Sequence, residues 1–337
     1  MNPTPATDPT AVPATAAAPA ITPAPSSVTV HDGWYLAAFR SELDQEVTPL
    51  DIGDRRLVAV REDDRVRVFD ATCPHRGAHL GHGGRREGDC LVCPFHGRRI
   101  GLGDSGRHLS VAEHQVLRWG EAVFVRLSRD PAGDRGFERA LKEWEGPYPL
   151  VPAVVLPVSV APEFVVENAF DTDHFKAVHK VSGTRGMAAR DGDGGELVVE
   201  GEFLMLTSPW QDERVKEQVR WETIRTNTVR WGYRPRFLAR AFSPGLVVTE
   251  FGPPDEVHVI VTASVPTATG CVARVAVGVR DGQRNALPSL IAGSGKALAE
   301  DKLVWDHLDP AAPARYDARD APVLAFRAFC AGFGGPA

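Results

Sequence analysis

Cysteine is scarce: there are five in 337 residues, an odd number and far too few for a disulfide framework. The thiols therefore read as metal ligands or ordinary buried side chains in a reducing compartment, and the expected location is cytoplasmic. Long apolar runs are missing too. No stretch approaches the roughly 18 unbroken apolar residues of a membrane helix, so membrane insertion is not expected. A basic excess is also absent, since the formal net charge is −6, and without one there is no general electrostatic reason to seek DNA. Nucleic acid is not an expected partner. What the chain does have is 43% hydrophobic residues over a length sufficient for two domains with their own cores.

Three regions follow from composition and pattern. Residues 1–27 are almost entirely Ala, Pro and Thr, with no Lys or Arg and with Pro at 3, 5, 9, 13, 19, 23 and 25, which describes a disordered tail and not a secretory signal. Residues 28–150 hold short strands: a hairpin from Leu57 to Phe69 turning at Arg61–Asp64, and a second from Val116 to Leu127 turning near Gly120. A helix over about Phe137–Trp144 and the Pro-containing connection Gly146-Pro147-Tyr148-Pro149 lead to a boundary near 150. The third region, 151–337, reads as helix from Ala161 to about Lys180, strands between Leu197 and Val279 with a clear hairpin at Val257–Val279, and closing helices over Leu287–Leu308 and Pro322–Phe333. Strands grouped between helices indicate an α+β fold.

The first chemical constellation is Cys73-Pro74-His75-Arg76-Gly77-Ala78 followed by Cys93-Pro94-Phe95-His96-Gly97, with 17 residues between His75 and Cys93. A [2Fe–2S] cluster with two thiolates on one iron and two imidazoles on the other needs one Cys and one His from each of two facing loops. The Pro and Gly residues let backbone amides approach the cluster sulfides. A structural zinc site is the alternative, but it usually pairs Cys with Cys and His with His along the chain. The spacing here is that of a Rieske centre. His79, His82 and His108 lie in loops without a partner at ligand spacing and read as surface or supporting residues, and Cys90 stands outside the pattern.

The second constellation is Asn168-Ala169-Phe170-Asp171-Thr172-Asp173-His174, continuing to His179. Five residues advance a helix by about 500°, which leaves two imidazoles about 140° apart, so only a π-bulge or an early helix end would aim both at one ion. Non-haem iron(II) that activates O2 is held by two His and one carboxylate on one face. Among Glu300, Asp301, Asp306 and Asp309, only Asp301 falls in the apolar stripe with Ala297, Val304 and Leu308, while Asp306 and Asp309 share the solvated Lys302 face. Asp301 is the expected third ligand.

These motifs resemble those of the Rieske non-haem iron oxygenases, over about residues 28–335. Cys73 to Ala78 and Cys93 to Gly97 match the family's cluster motifs, and Asn168, Asp171, His174 and His179 match its catalytic signature position for position. The resemblance implies a Rieske [2Fe–2S] domain followed by a helix-grip, START-like α+β catalytic domain. It also implies His174, His179 and Asp301 as ligands of a mononuclear Fe(II), Asp171 as the bridge that carries electrons from a neighbouring subunit's cluster, and Asn168 as a further residue of the catalytic signature. The implied system uses O2 as co-substrate and electrons from a ferredoxin or flavin reductase, ultimately from NAD(P)H. Its products come from hydroxylation, demethylation, desaturation or cis-dihydroxylation of a small-molecule substrate. A head-to-tail homotrimer is implied because the two metal sites of one chain are too far apart in the family, and a closed ring satisfies that contact. The closing segments, from Glu300 and from Tyr316, look most like the ketosteroid hydroxylase and sterol desaturase branch, a lean toward a bulky apolar substrate. One departure is Arg98-Arg99, where the family usually places an aromatic residue.

A different class, an electron-carrying Rieske ferredoxin, would need nothing after about residue 130. A degenerate subunit without mononuclear iron would not keep His174 and His179. The segment from Arg214 to Arg240 holds eight basic residues interleaved with Trp221, Trp231 and Tyr233. It reads first as a solvated face of strands, and alternatively as a docking surface for an acidic redox partner or substrate carboxylate.

Overall fold

The computed structural model describes residues 30–128, 130–207, 220–223, 228–309 and 312–333. The expected tail at 1–27 lies outside the described residues, as does much of the basic segment, including Arg214 and Arg225.

Alternating Val and polar residues make the first hairpin, in which Leu57–Glu62 pairs antiparallel with Arg65–Asp70 across a turn whose Asp63 has φ +53°. The second joins Glu113–Trp119 to Ala122–Arg126, and both hairpins enter one antiparallel sheet of six strands flanked by Trp34–Phe39 and Val47–Pro49. A separate four-stranded sheet, Arg85–Glu87, Cys90–Val92, Arg99–Leu102 and Ser110–Val111, carries the second cysteine loop.

The larger sheet begins with Leu150–Val158. Next to it lie Gly270–Gly278, His258–Thr267, Leu246–Gly252, Arg236–Ser243 and Leu197–Thr207, with Gly183–Asp191 also pairing the last of these. Thr228–Tyr233 and Arg220–Thr223 complete its nine strands. Five α-helices accompany the two large sheets among the described residues: α1 (Phe137–Trp144), α2 (Pro162–Glu167), α3 (Thr172–Ala177), α4 (Leu287–Trp305) and α5 (Ala321–Ala331). No helix among the described residues is long and apolar enough to cross a membrane.

The two sheets share a core. Trp34, Leu36, Trp119 and Phe124 from the first and Phe242, Leu246, Val259 and Val261 from the second pack in one buried cluster around Phe137, Ala140, Leu141 and Trp144 of α1. At this junction Gly120 has φ +57°, and a Cβ there would lie 2.4 Å from the Leu150 carbonyl oxygen, so only glycine allows the approach. Arg274 of the large sheet grips Glu42 of the N-terminal region through Nη2–Oε1 (2.9 Å) and Nε–Oε2 (3.3 Å). His31 is buried nearby, its ring stacked on Tyr35 at 4.2 Å and its Nδ1 accepting the Gly33 N–H at 3.1 Å. Its Nε2 has no hydrogen-bond partner, and burial pushes its pKa down to about 3.

Two differences from the sequence reading have physical causes. The stretch Ala161–Lys180 folds as two short helices because the Asp171 carboxylate accepts the N–H groups of Asp173 (3.1 Å) and His174 (3.3 Å), which starts α3 afresh. The strand Gly183–Asp191 was not expected, since Gly183-Thr184-Arg185-Gly186-Met187-Ala188-Ala189 lacks the β-branched alternation of its neighbours; a register shift at Arg185/Ala188 and a left-handed Gly186 accommodate it.

Candidate functional site

The two cysteine loops share one main-chain plan. In the first, Cys73 N–H donates to the Ala78 carbonyl and Gly77 N–H to the Cys73 carbonyl, both at 2.8 Å. In the second, Cys93 N–H donates to the Arg98 carbonyl at 2.8 Å and Gly97 N–H to the Cys93 carbonyl at 2.9 Å. Both loops turn on a left-handed glycine, Gly77 at φ +74° and Gly97 at φ +65°, which explains glycine at the fifth position of each.

This plan brings the first constellation together. Cys73 and Cys93 are buried side by side, and the His75 and His96 rings stand at the rim with centroids 4.8 Å apart. Burial raises the Cys73 pKa, and the adjacent Cys93 adds to it against the lowering by the His75 amide. Desolvation, then the charges of Arg98, His96 and Arg76, hold His75 below its usual range. The Nδ1 of His75 is buried without a hydrogen-bond partner. The loops therefore fit a group that takes up this nitrogen, and two thiols with two imidazoles are the donor set of a Rieske cluster.

In the second constellation His174 and His179 meet because α3 ends early. The helix stops at Ala177, Lys180 takes a left-handed φ of +59°, and Val181 N–H donates to the Phe175 carbonyl at 3.0 Å. That end brings the His174 and His179 rings to 5.0 Å, centroid to centroid. Phe175 anchors the segment on the sheet through Phe203 (4.7 Å) and Phe237 (5.5 Å). From the opposite side α4 presents Asp301, which is 9% exposed, and its Oδ1 lies 3.2 Å from His179 Nε2. One donor atom each from His174, His179 and Asp301 falls within 4.8 Å of the others, close enough for one ion to bridge.

The other ring nitrogens are engaged. His174 Nδ1 is 2.5 Å from the Asp171 carbonyl oxygen, and His179 Nδ1 is 3.1 Å from Glu300 Oε2. Both rings are thus free to turn Nε2 toward a metal, the usual way that supporting groups fix a metal-binding tautomer. Burial lowers the His174 pKa and outweighs the hydrogen bond to the Asp171 carbonyl. For His179 burial also opposes the charge, but Asp301 and Glu300 more than offset it and hold the pKa above its usual value. Asp306 pairs with Lys302 away from the site, as its solvated face implied. Asn168 and Asp171 are not among the three converging donors: Asn168 closes α2, and Asp171 caps α3.

Glu300 is the residue that sequence reasoning left without a role. Its only signal was its place beside Asp301. Asp51, His79 and His82 also come within mutual reach, with His79 Nε2 3.0 Å from Asp51 Oδ1. Here Gly81 N–H donates to His79 Nδ1 at 3.0 Å, so a neutral ring carries its proton on Nε2 and gives it to Asp51. That is a satisfied structural pair, with no nitrogen lone pair of His79 left for a metal. His108 is exposed, and the buried Cys90 thiol donates to Asp89 at 3.3 Å. In place of the aromatic residue usual after the second loop, Arg98 is exposed and Arg99 pairs with Glu87 at 2.8 Å.

Residues 33–118 match the family model described as the Rieske [2Fe-2S] domain. Among curated proteins, cholesterol 7-desaturase nvd of Drosophila melanogaster is 27% identical over 164 residues, covering 44% of this chain and 38% of that protein. Aminopyrrolnitrin oxygenase PrnD of Pseudomonas fluorescens is 31% identical over 170 residues, covering 43% and 45%. The matches therefore span less than half the length of these curated relatives. In fold the chain is similar to dicamba monooxygenase bound to 3,6-dichlorosalicylic acid, with a TM-score of 0.65, 17% identity and coverage of 89% of this chain and 96% of that one. The chain thus carries a Rieske [2Fe-2S] domain over residues 33–118, and in fold it shares the α+β architecture with a large antiparallel sheet of a Rieske-type oxygenase neighbour, dicamba monooxygenase.

Proposed function

We propose that the chain is the terminal oxygenase component of a multicomponent system, using O2 and electrons from a separate ferredoxin or flavin reductase to hydroxylate a bulky, mostly apolar or cyclic small molecule. The observation that carries this reading is the convergence of His174, His179 and Asp301 in the same chain as a Rieske domain. In this reading Cys73, His75, Cys93 and His96 hold the [2Fe–2S] cluster, and the triad holds a mononuclear Fe(II). Residues 28–150 form the Rieske domain with its linker, and residues 151–337 form the catalytic half. Ferrous iron bound by two imidazoles and one carboxylate on one face supplies O2 activation when it is present.

The protein's own part is orientation. Asp171 starts α3 and its carbonyl holds the His174 ring, while Phe175 packs with Phe203, Phe237 and Phe251 in an aromatic cluster that seats α3 on the large sheet. A cholesterol desaturase among the relatives favours an apolar ring system as substrate. Demethylation, desaturation and cis-dihydroxylation are alternative outcomes at the same donor set. A head-to-tail homotrimer in the cytoplasm, with Asp171 at the crossing between subunits, completes the proposal.

The test is iron and acid-labile sulfide per chain on anaerobically purified protein, with EPR of the reduced sample. About three iron to two sulfide with a Rieske signal, falling by one iron in His174→Ala, is the expected result. About two iron to two sulfide, even after reconstitution with Fe(II), would instead make the chain an electron carrier or a degenerate subunit.

A further inference from the structure

His179 is gripped at both ring nitrogens by consecutive residues of one helix. Glu300 Oε2 lies 3.1 Å from Nδ1, and Asp301 Oδ1 lies 3.2 Å from Nε2. Neighbouring helix positions diverge by about 100°, and that divergence lets two adjacent carboxylates reach opposite edges of one imidazole. We propose that Glu300 is a positioning residue for the metal site, the group that fixes His179 with its proton on Nδ1 and its Nε2 lone pair facing the ion; this rests on the iron reading above.

The geometry separates the two imidazoles. His174 Nδ1 faces a main-chain carbonyl, which any residue at 171 would provide, whereas His179 depends on a side chain that substitution can remove. In the other neutral tautomer of His179 the Nδ1 lone pair would face the Glu300 carboxylate, an arrangement of two acceptors with no proton between them. The Nε2 lone pair faces Asp301 Oδ1 at 3.2 Å in the same way, and an ion shared by those two atoms relieves that conflict, which leaves Glu300 to hold the proton on Nδ1. Its other oxygen, Oε1, lies 3.7 Å from Lys296 Nζ one turn earlier on α4, so the carboxylate is steadied from its outer side. A bland role, as a surface partner of Lys296 only, makes a different prediction, which the test below includes.

The experiment uses full-length holoenzyme and its Glu300→Ala, Glu300→Gln and Lys296→Met variants. Metal affinity of the mononuclear site is read by chelator competition with Fe(II), and its geometry by the absorption spectrum after Co(II) substitution at that site. The Rieske EPR signal of each variant reports that the chain is folded. Glu300→Ala is expected to weaken Fe(II) binding about 10- to 100-fold and to shift the Co(II) bands. Glu300→Gln, whose amide oxygen still accepts a hydrogen bond from Nδ1–H, is expected to recover most of that loss, and Lys296→Met to stay near wild type. Glu300→Ala within about twofold of wild type and with an unchanged Co(II) spectrum would overturn the assignment, as would an equal loss in Lys296→Met. Wild-type protein that binds neither Fe(II) nor Co(II) outside the cluster would overturn the iron reading, and this assignment with it.

Discussion

Single side chains carry both the chemistry and an acid sensitivity in this protein. His31 is buried as the neutral ring, with a pKa near 3, while in the unfolded chain it titrates at its ordinary value near 6.5. Between those values only the unfolded chain takes the proton, so stability falls as pH falls through the window and the loss ceases below about 3. The slope is about 1.4 kcal/mol per pH unit at most, so this one group is expected to remove about 2 kcal/mol between pH 6.5 and 5. Urea unfolding at both pH values checks it: His31→Asn should show a loss smaller by about that amount, and equal losses would exclude the group. His31 was not legible in advance because nothing local distinguishes a buried histidine from an exposed one. The ligand candidates were legible, because Cys73, His75, Cys93 and His96 carry their pattern within two short loops. Asp301 is the acid that the stripe with Ala297, Val304 and Leu308 singled out, but Val304 and Leu308 are exposed and the buried face of α4 is Leu298, Asp301 and Trp305; Glu300 could not be chosen, since its role depends on a ring 121 residues away in sequence.

Secondary elements show where pattern reading succeeds and where it stops. Helix α1 runs over Phe137–Trp144 as its periodicity indicates, and both N-terminal hairpins form where β-branched runs flank polar turns. The break between α2 and α3 escaped because a carboxylate cap inside a helical pattern looks like one more polar residue. That cap makes a separable prediction. Asp171→Ala is expected to cost about 1 kcal/mol of stability by freeing the amides of Asp173 and His174, while Asp171→Asn keeps an acceptor and should lose little. If Asp171 also carries electrons between subunits, Asp171→Asn will still slow oxidation of the reduced cluster in single-turnover mixing with O2 and substrate. Thermal unfolding and stopped-flow absorbance on the same samples distinguish the helix role from the electron role.

At the scale of the whole molecule, the composition and the grouping of strands led to an α+β reading in two parts, and the two large sheets are there. What no local pattern revealed is that the parts are fused. Trp34, Trp119 and Phe124 of the first sheet and Phe242 and Val261 of the second close on α1 from both sides, and Arg274 reaches across to Glu42. Such contacts are set by residues far apart in the chain, which periodicity cannot register. The consequence concerns where the polypeptide can be divided. A fragment ending at residue 150 would keep every candidate cluster ligand yet bare the aromatic face that Phe242, Leu246 and Val259 cover, so it is expected to aggregate or to need solubilising substitutions. The linker chemistry at Gly146–Pro149 marks a change of sheet, and not a place to cut.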